Sequence, residues 1–219
     1  MRSAGQAAGN AGYTLAELLV VIAIIAILAG LSVVGIQKAQ EYSHTSAERH
    51  TISMLKVGIN TFSQELGDAP PTSLRSFDLR SINKINEGNE SLFACLETRK
   101  KNGPFIEGLD EKRWENTDGD TLTSSDLKKV VKGLDWARPG NRLLEYTDFW
   151  GNPYVYIHSA NYGEKQQYQD GQGRIFEVEA AKNPRTGGYA APGSYQLWSL
   201  GPDGENQNGA GDDICSWKS

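Results

Sequence analysis

Residues 18–36 read LLVVIAIIAILAGLSVVGI, nineteen positions without a charge or a proline. As a helix rising 1.5 Å per residue this segment is about 28 Å long, close to the hydrocarbon thickness of a bilayer. It is apolar on every side, so its partners must be lipid or other apolar helices rather than a single core face. The rest of the chain is different: outside residues 13–36 roughly one-third of the residues are hydrophobic. The net charge of −5 argues against a general nucleic-acid binder, which needs a basic face. Two cysteines and three histidines are too few for a zinc ribbon or a disulfide-rich scaffold.

The apolar run does not read as a secretory signal peptide. The preceding MRSAGQAAGNAG holds one basic residue, Arg2, and the run passes into a polar helical pattern instead of ending in a small-x-small cleavage site. No cysteine near the start points to a lipid anchor. Glu17 stands at the lip of the run. A carboxylate in a membrane segment costs about 2.5–3.5 kcal/mol at the centre and less at the edge. Glu17 therefore either sits among headgroups or has a partner that cancels its charge.

Gly12-Tyr13-Thr14-Leu15-Ala16-Glu17, followed by that run, resembles the class III signal of type IV pilin-like proteins. The resemblance implies that a prepilin peptidase cuts between Gly12 and Tyr13 and methylates the new N-terminus. It also implies that Glu17, fifth after the cut, pairs with the N-terminal amine of a neighbouring subunit in a filament. Desolvated opposite charges would then set axial register between otherwise featureless apolar helices. Tyr13 stands where the family usually has phenylalanine, and the leader is nearly neutral where the family's is basic.

Beyond Ile36 the helical spacing persists. Ile52, Leu55, Ile59, Phe62 and Leu66 form one apolar stripe, with Lys38, Glu41, Glu48, Arg49 and Lys56 off it. Gly67-Asp68 and Pro70-Pro71 end the helix. The expected organisation is a leader (1–12), a long helix (13–67, membrane-spanning at about 15–36) and a globular domain (68–219). The expected fold class is α+β, the second half of the helix packing on a small antiparallel β-sheet domain. Asn89 reads as the cap of a short helix carrying Leu92, Phe93 and Leu96 on one face. Aromatic-rich segments 153–157 and 194–200, and the shorter 175–178, read as strands between glycine-rich turns. With the domain outside the cytoplasm, Cys95 could bridge to Cys215 instead of remaining a buried thiol.

The segment Asn116-Thr117-Asp118-Gly119-Asp120, running on to Asp126, alternates oxygen-bearing side chains ahead of a helix. It resembles the calcium loops of EF-hand and dockerin modules, with Asn116, Asp118, Asp120 and Asp126 as ligands. Its spacing is one residue short and the usual glycine after the third ligand is missing, so a polar turn capping a helix at 124–131 is the favoured reading.

Three C-terminal segments narrow the resemblance. DFWGNPY (148–154), YQLWSLGPDG (195–204) and GAGDDI (209–214) with Trp217 are similar, in order, to segments of the major (G-type) pseudopilin of type II secretion systems. The resemblance implies a structural calcium ion held by the carboxylates of Asp203, Asp212 and Asp213 and the backbone carbonyl of Leu200. Residues 73–147 do not align with that family and read as an insertion.

The implied function is a structural subunit of a pseudopilus, polymerised with itself and with minor pseudopilins. An inner-membrane platform and its ATPase would drive assembly, with the chain single-pass in the bacterial inner membrane and its C-terminal domain in the periplasm. A type IV pilin or DNA-uptake pseudopilin forming a surface filament is the alternative. Catalysis is not expected: His44, His50 and His158 sit in no HExxH arrangement, and GxSxG and phosphate-loop motifs are absent from the sequence.

Overall fold

Helix α1 runs without interruption over Leu15–Leu66, as a proline-free stretch of helical spacing predicts. It ends where expected: Gly67 takes φ 93° and its N–H donates to the Ser63 carbonyl at 2.8 Å, closing the helix with a left-handed residue. The structure, a computed structural model, describes residues 14–77, 83–135 and 140–218, less the side chains of residues 31–35, 76 and 130–133. The chain divides into two compact units, Met1–Ser43 and His44–Ser219, each of which contains part of α1.

In the second unit Ile52, Leu55, Ile59 and Phe62 are buried, so the apolar stripe is the face that packs. Leu66 departs from it at 41% exposed, because it is the final helical residue and the chain turns at Gly67 before any element can cover it. Among the described residues three antiparallel sheets follow instead of the one expected. β1 (Trp114–Glu115) pairs with β2 (Glu145–Tyr146), and β4 (Gln166–Gln169) with β5 (Ile175–Val178). The central sheet has the order β3-β6-β7, with β3 at Val155–His158, β6 at Tyr195–Ser199 and β7 at Ile214–Cys215.

The period-two geometry of β3 and β6 divides the core. Tyr156, Tyr195 and Leu197 join the α1 residues in one cluster. Val155, Ile157 and Trp198 face the other way, with Tyr168, Val178, Leu200 and Cys215. Both faces are covered, which is why β6 is buried at all five positions.

Helix α2 (Glu87–Leu96) begins three residues earlier than Asn89 predicts, behind a left-handed Asn86 at φ 53°. All ten residues are buried because α2 packs against β2, β3 and β4. Asn89 is not a cap. Its Nδ2 donates to the carbonyls of Tyr146 and Tyr154, each at 3.0 Å, and its Oδ1 accepts from the Tyr146 N–H at 2.9 Å. One amide thereby does for two short strands what a neighbouring strand would do. Gly88 permits this approach, since a Cβ there would lie 2.1 Å from the Tyr156 carbonyl oxygen.

Glu48 was expected among the polar positions of α1, yet it is fully buried. Arg113, from a short 3₁₀ turn at Glu111–Arg113, donates from Nη2 to Glu48 Oε2 at 3.1 Å and from Nε to the Thr147 carbonyl at 2.6 Å. The Tyr154 hydroxyl donates to Glu48 Oε1, and the Phe149 N–H to Oε2 at 3.2 Å. The guanidinium lies over the Tyr146 and Phe149 rings, 4.6 and 4.4 Å from their centres.

Burial pushes the Glu48 carboxyl up to about 7, outweighing the nearby Arg113 charge and the Tyr154 and Phe149 hydrogen bonds. A carboxyl that titrates near 7 when folded and 4.5 when unfolded holds extra protons in the native state between those values. Its contribution to stability is therefore full below about 4.5 and declines as pH rises to about 7. Glu48→Gln is expected to flatten this part of the stability–pH curve, measured by urea unfolding at a series of pH values. An unaltered slope would show that Glu48 is ionised throughout.

Candidate functional site

The N-terminal unit starts with a reciprocal cap. Thr14 donates to Glu17 Oε2 from its backbone N–H at 2.8 Å and from its hydroxyl at 3.0 Å, and the Glu17 N–H donates to Thr14 Oγ1 at 3.3 Å. This is a capping box, and its signature, Thr-x-x-Glu ahead of an apolar run, stands in the sequence at 14–17. Glu17 thus has a partner within its own chain, which the filament reading alone did not provide. Gly12 and Tyr13 lie outside the described residues.

After the cap, Leu18, Leu19, Val20, Val21, Ile22, Ile24, Ile25, Ile27 and Leu28 are all exposed, between 48 and 64%. So long an uncovered apolar surface marks a contact with something outside the chain. Residues 31–35 of the apolar run have no described side chains, and among the described residues no helix is long and apolar enough to cross a membrane.

At the other end of the chain, DFWGNPY forms a tight turn organised by Asp148. Its Oδ1 accepts from the N–H groups of Trp150 and Asn152, both at 2.9 Å, while Oδ2 accepts from the Ser199 hydroxyl of β6 at 2.7 Å. The loop between β6 and β7 folds back on itself. Gln207 Nε2 donates to Asp203 Oδ2 at 3.0 Å and to Asp212 Oδ1 at 3.4 Å, and the Asp203 N–H donates to Asp212 Oδ2 at 3.2 Å. Asp213 Oδ2 accepts from the backbone of Gln207 at 3.1 Å and Gly209 at 2.7 Å, while its Oδ1 is buried without a partner. Burial raises the Asp213 carboxyl to about 6 against those two N–H groups. The structure thus brings Asp203, Asp212 and Asp213 into one loop around Gln207, and Leu200 enters it with a fully buried side chain.

The second predicted loop divides. Asp126 belongs to the start of α3 (Ser124–Leu134): its Oδ2 accepts from the Thr123 hydroxyl at 2.7 Å and its N–H donates to Thr123 Oγ1 at 3.2 Å. Thr123 thus caps the helix, and Asp126 is not among the acids that the fold gathers. Asp118 instead meets Glu90 of α2 and Glu145 of β2, one carboxylate oxygen of each lying within 4.8 Å of the others. Glu90 is raised well above the ordinary range by burial and by the charges of Asp120, Glu145, Asp118 and Glu87. Burial and Asp118 likewise carry Glu145 to about 8 and Asp120 to about 7. Glu145 is 28 positions from Thr117, whose N–H it accepts, and Glu90 lies in a different element again; only the fold joins them to the loop.

Cys95 and Cys215 are both free and buried, so they are thiols rather than a bridge. They belong to separate core clusters, on opposite sides of the central sheet. His44 stacks on Phe149 at 5.5 Å, and His158 Nε2 lies 3.1 Å from Asp68 Oδ1.

Residues 8–33 match the prokaryotic N-terminal methylation motif. The match takes in Gly12, Tyr13, the capped start of α1 and the exposed apolar stretch, and it supports a type IV pilin-like or pseudopilin class for this segment. No curated protein and no solved structure matches the chain.

The β6–β7 loop depends on Gly209, which takes φ 78° and whose Cβ, if present, would lie 2.3 Å from Trp217 Cζ2. Gly209→Ala is expected to displace Trp217 and loosen the seat of Asp213, costing about 1–3 kcal/mol. Denaturant unfolding followed by tryptophan fluorescence reads this, and an unchanged midpoint would show that the loop is not rigidly held.

Proposed function

We propose that this chain is the major structural subunit of a type II secretion pseudopilus. The observation that carries the reading is the methylation-motif match over residues 8–33, joined to a helix whose large apolar side chains between residues 18 and 28 are exposed. Prepilin peptidase removes residues 1–12, and residues of about 15–36 hold the subunit in the bacterial inner membrane until assembly, with the C-terminal domain in the periplasm. Extraction exchanges lipid for the same apolar surfaces of neighbouring copies, which keeps the cost of leaving the bilayer low.

Glu17 supplies the polar half of that exchange. Cleavage after Gly12 leaves the new amine one residue ahead of Thr14, whose N–H already donates to the Glu17 carboxylate. The capping box holds the carboxylate at the helix end, ready to trade Thr14 for the amine of the next subunit. An inner-membrane platform and its ATPase provide the force, minor pseudopilins complete the fibre, and its growth pushes folded proteins outward. The subunit's part is mechanical.

The pseudopilin assignment, rather than pilin in general, is supported by the three C-terminal segments that resemble that family. They lie in one packed block here: Asp148 holds Ser199 of β6, and β6 pairs with β7. Calcium fits the β6–β7 loop, where Asp213 has a buried oxygen without a partner and Gln207 places a donor between two carboxylates. Asp203, Asp212 and Asp213 would hold the ion with the Leu200 carbonyl. When bound, it supplies the positive charge that these acids lack and stiffens the loop.

Mass spectrometry of the mature chain is expected to show an N-methylated Tyr13; an intact Met1 would remove the leader assignment. Glu17→Ala is expected to leave processing intact and abolish fibres in electron micrographs. A deletion strain is expected to retain folded exoproteins in the periplasm. Normal secretion together with loss of surface filaments would transfer the chain to the pilins.

A further inference from the structure

We propose that Glu90, Asp118, Asp120 and Glu145, with the side-chain oxygen of Asn116, form a calcium site that joins the 116–120 loop to α2 and β2. This site is separate from the β6–β7 loop and lies within the segment that has no counterpart in the resemblance.

The argument begins with oxygens that have nothing to bond. Glu90 is 1% exposed, and neither of its carboxylate oxygens has a hydrogen-bond partner. Glu145 is fully buried: Oε2 accepts from the Thr117 N–H at 2.9 Å, but Oε1 has no partner. Both Asp120 carboxylate oxygens and Asn116 Oδ1 are buried and equally unmatched. A buried polar atom without a partner costs about 1–3 kcal/mol, and more when charged. Six such atoms on four residues, from α2, β2 and the 116–120 loop, are not sustained by packing alone.

They converge. Glu90, Asp118 and Glu145 each direct one oxygen to within 4.8 Å of the other two, the separation expected of ligands sharing one ion. The groups that face Glu90 are acids from three elements: Glu87 on its own helix, Asp118 and Asp120 from the loop, and Glu145 from β2. Glu87 is already matched by Arg75 at 2.8 Å. Glu90 and the other three, Asp118, Asp120 and Glu145, are a charge that a bound cation would neutralise.

The surroundings are arranged to hold the oxygens in place. Asn116 Nδ2 donates to the Asp120 carbonyl at 2.9 Å, which turns Oδ1 the other way. Asn83 Nδ2 donates to Asp118 Oδ2 at 2.9 Å, and the Asp120 N–H to Asp118 Oδ1 at 3.2 Å. Gly119, at φ 76°, makes the turn between the two aspartates. Asn116, Asp118 and Asp120 thus occupy alternate positions like the first ligands of an EF-hand loop. The acid that would complete such a loop from the following helix, Asp126, is used in a cap, and Glu90 and Glu145 take its place. Carboxylate and amide oxygens without nitrogen or sulfur suit a hard cation, and an irregular cage from three elements suits calcium better than magnesium.

The test is equilibrium dialysis of the full chain in detergent, stripped with chelator, against calcium in the presence of magnesium. Glu90→Gln is expected to bind one equivalent fewer than the wild type at saturation. Asp120→Asn, at a less buried position, is expected to lose the same equivalent or weaken it about tenfold or more. Asp213→Asn is expected to keep it, whether or not the β6–β7 loop binds calcium. Equal stoichiometry and affinity in wild type, Glu90→Gln and Asp120→Asn overturns the site. Should Glu90→Gln not fold, hydrogen exchange on the wild type decides the matter. Calcium is expected to slow the amides of residues 116–120, and protection confined to residues 200–213, or absent altogether, overturns the proposal.

Discussion

Burying Glu48 commits the second unit to a particular assembly. A carboxyl taken out of water needs several donors at once, and Arg113, Tyr154 and the Phe149 N–H come from segments 65 to 106 positions away. The same guanidinium holds the Thr147 carbonyl and lies over the Tyr146 and Phe149 rings. Helix α1, the 3₁₀ turn before β1 and the turn before β3 therefore meet at one residue. An apolar contact would tolerate sliding along the helix, whereas a set of directed hydrogen bonds to a buried carboxyl does not.

Around that anchor the central sheet acts as a partition. α1 and α2 cover one face, and the β4–β5 hairpin and the β6–β7 loop cover the other. Asn89 ties α2 to β2 and β3 through backbone groups, so helix and strands are joined by hydrogen bonds as well as by packing. The two acidic regions lie at the margins of this scaffold. In each, backbone and amide donors satisfy some carboxylate oxygens and leave others without a partner. Much of the chain's net negative charge is thereby placed where a cation, rather than water, can answer it.

The N-terminal half of α1 poses the opposite problem. Its large side chains over residues 18–28 are apolar and exposed, and the charge ahead of them, Glu17, is held by the Thr14 cap. A subunit that must be stored in lipid and then packed among its own copies needs a surface acceptable to both and one polar contact that can be exchanged. The proposed function asks for no chemistry beyond that.

The helix, its end at Gly67, its buried stripe and the β3, β5 and β6 strands were legible because each is local. Periodicity, glycine and proline punctuation and aromatic runs act over a few residues. Local pattern carries no information where a residue's partner is remote in the chain. Glu48 has the polarity of a surface residue, and Arg113, Tyr154 and the Phe149 N–H together make it a core one. Asn89 has the chemistry of a cap, but the free backbone of β2 and β3 recruits it, and β4 carries three glutamines that no strand pattern predicts. The Asp118 and Asp120 spacing was visible, yet Asp126 went to a cap, and Glu90 and Glu145 joined through folding. By itself the sequence determined the elements and the apolar segment that needs an external partner, since these follow from local sterics and hydropathy. The tertiary structure alone decided which polar groups are buried together, because that depends on chain closure over tens of residues, which no local pattern records.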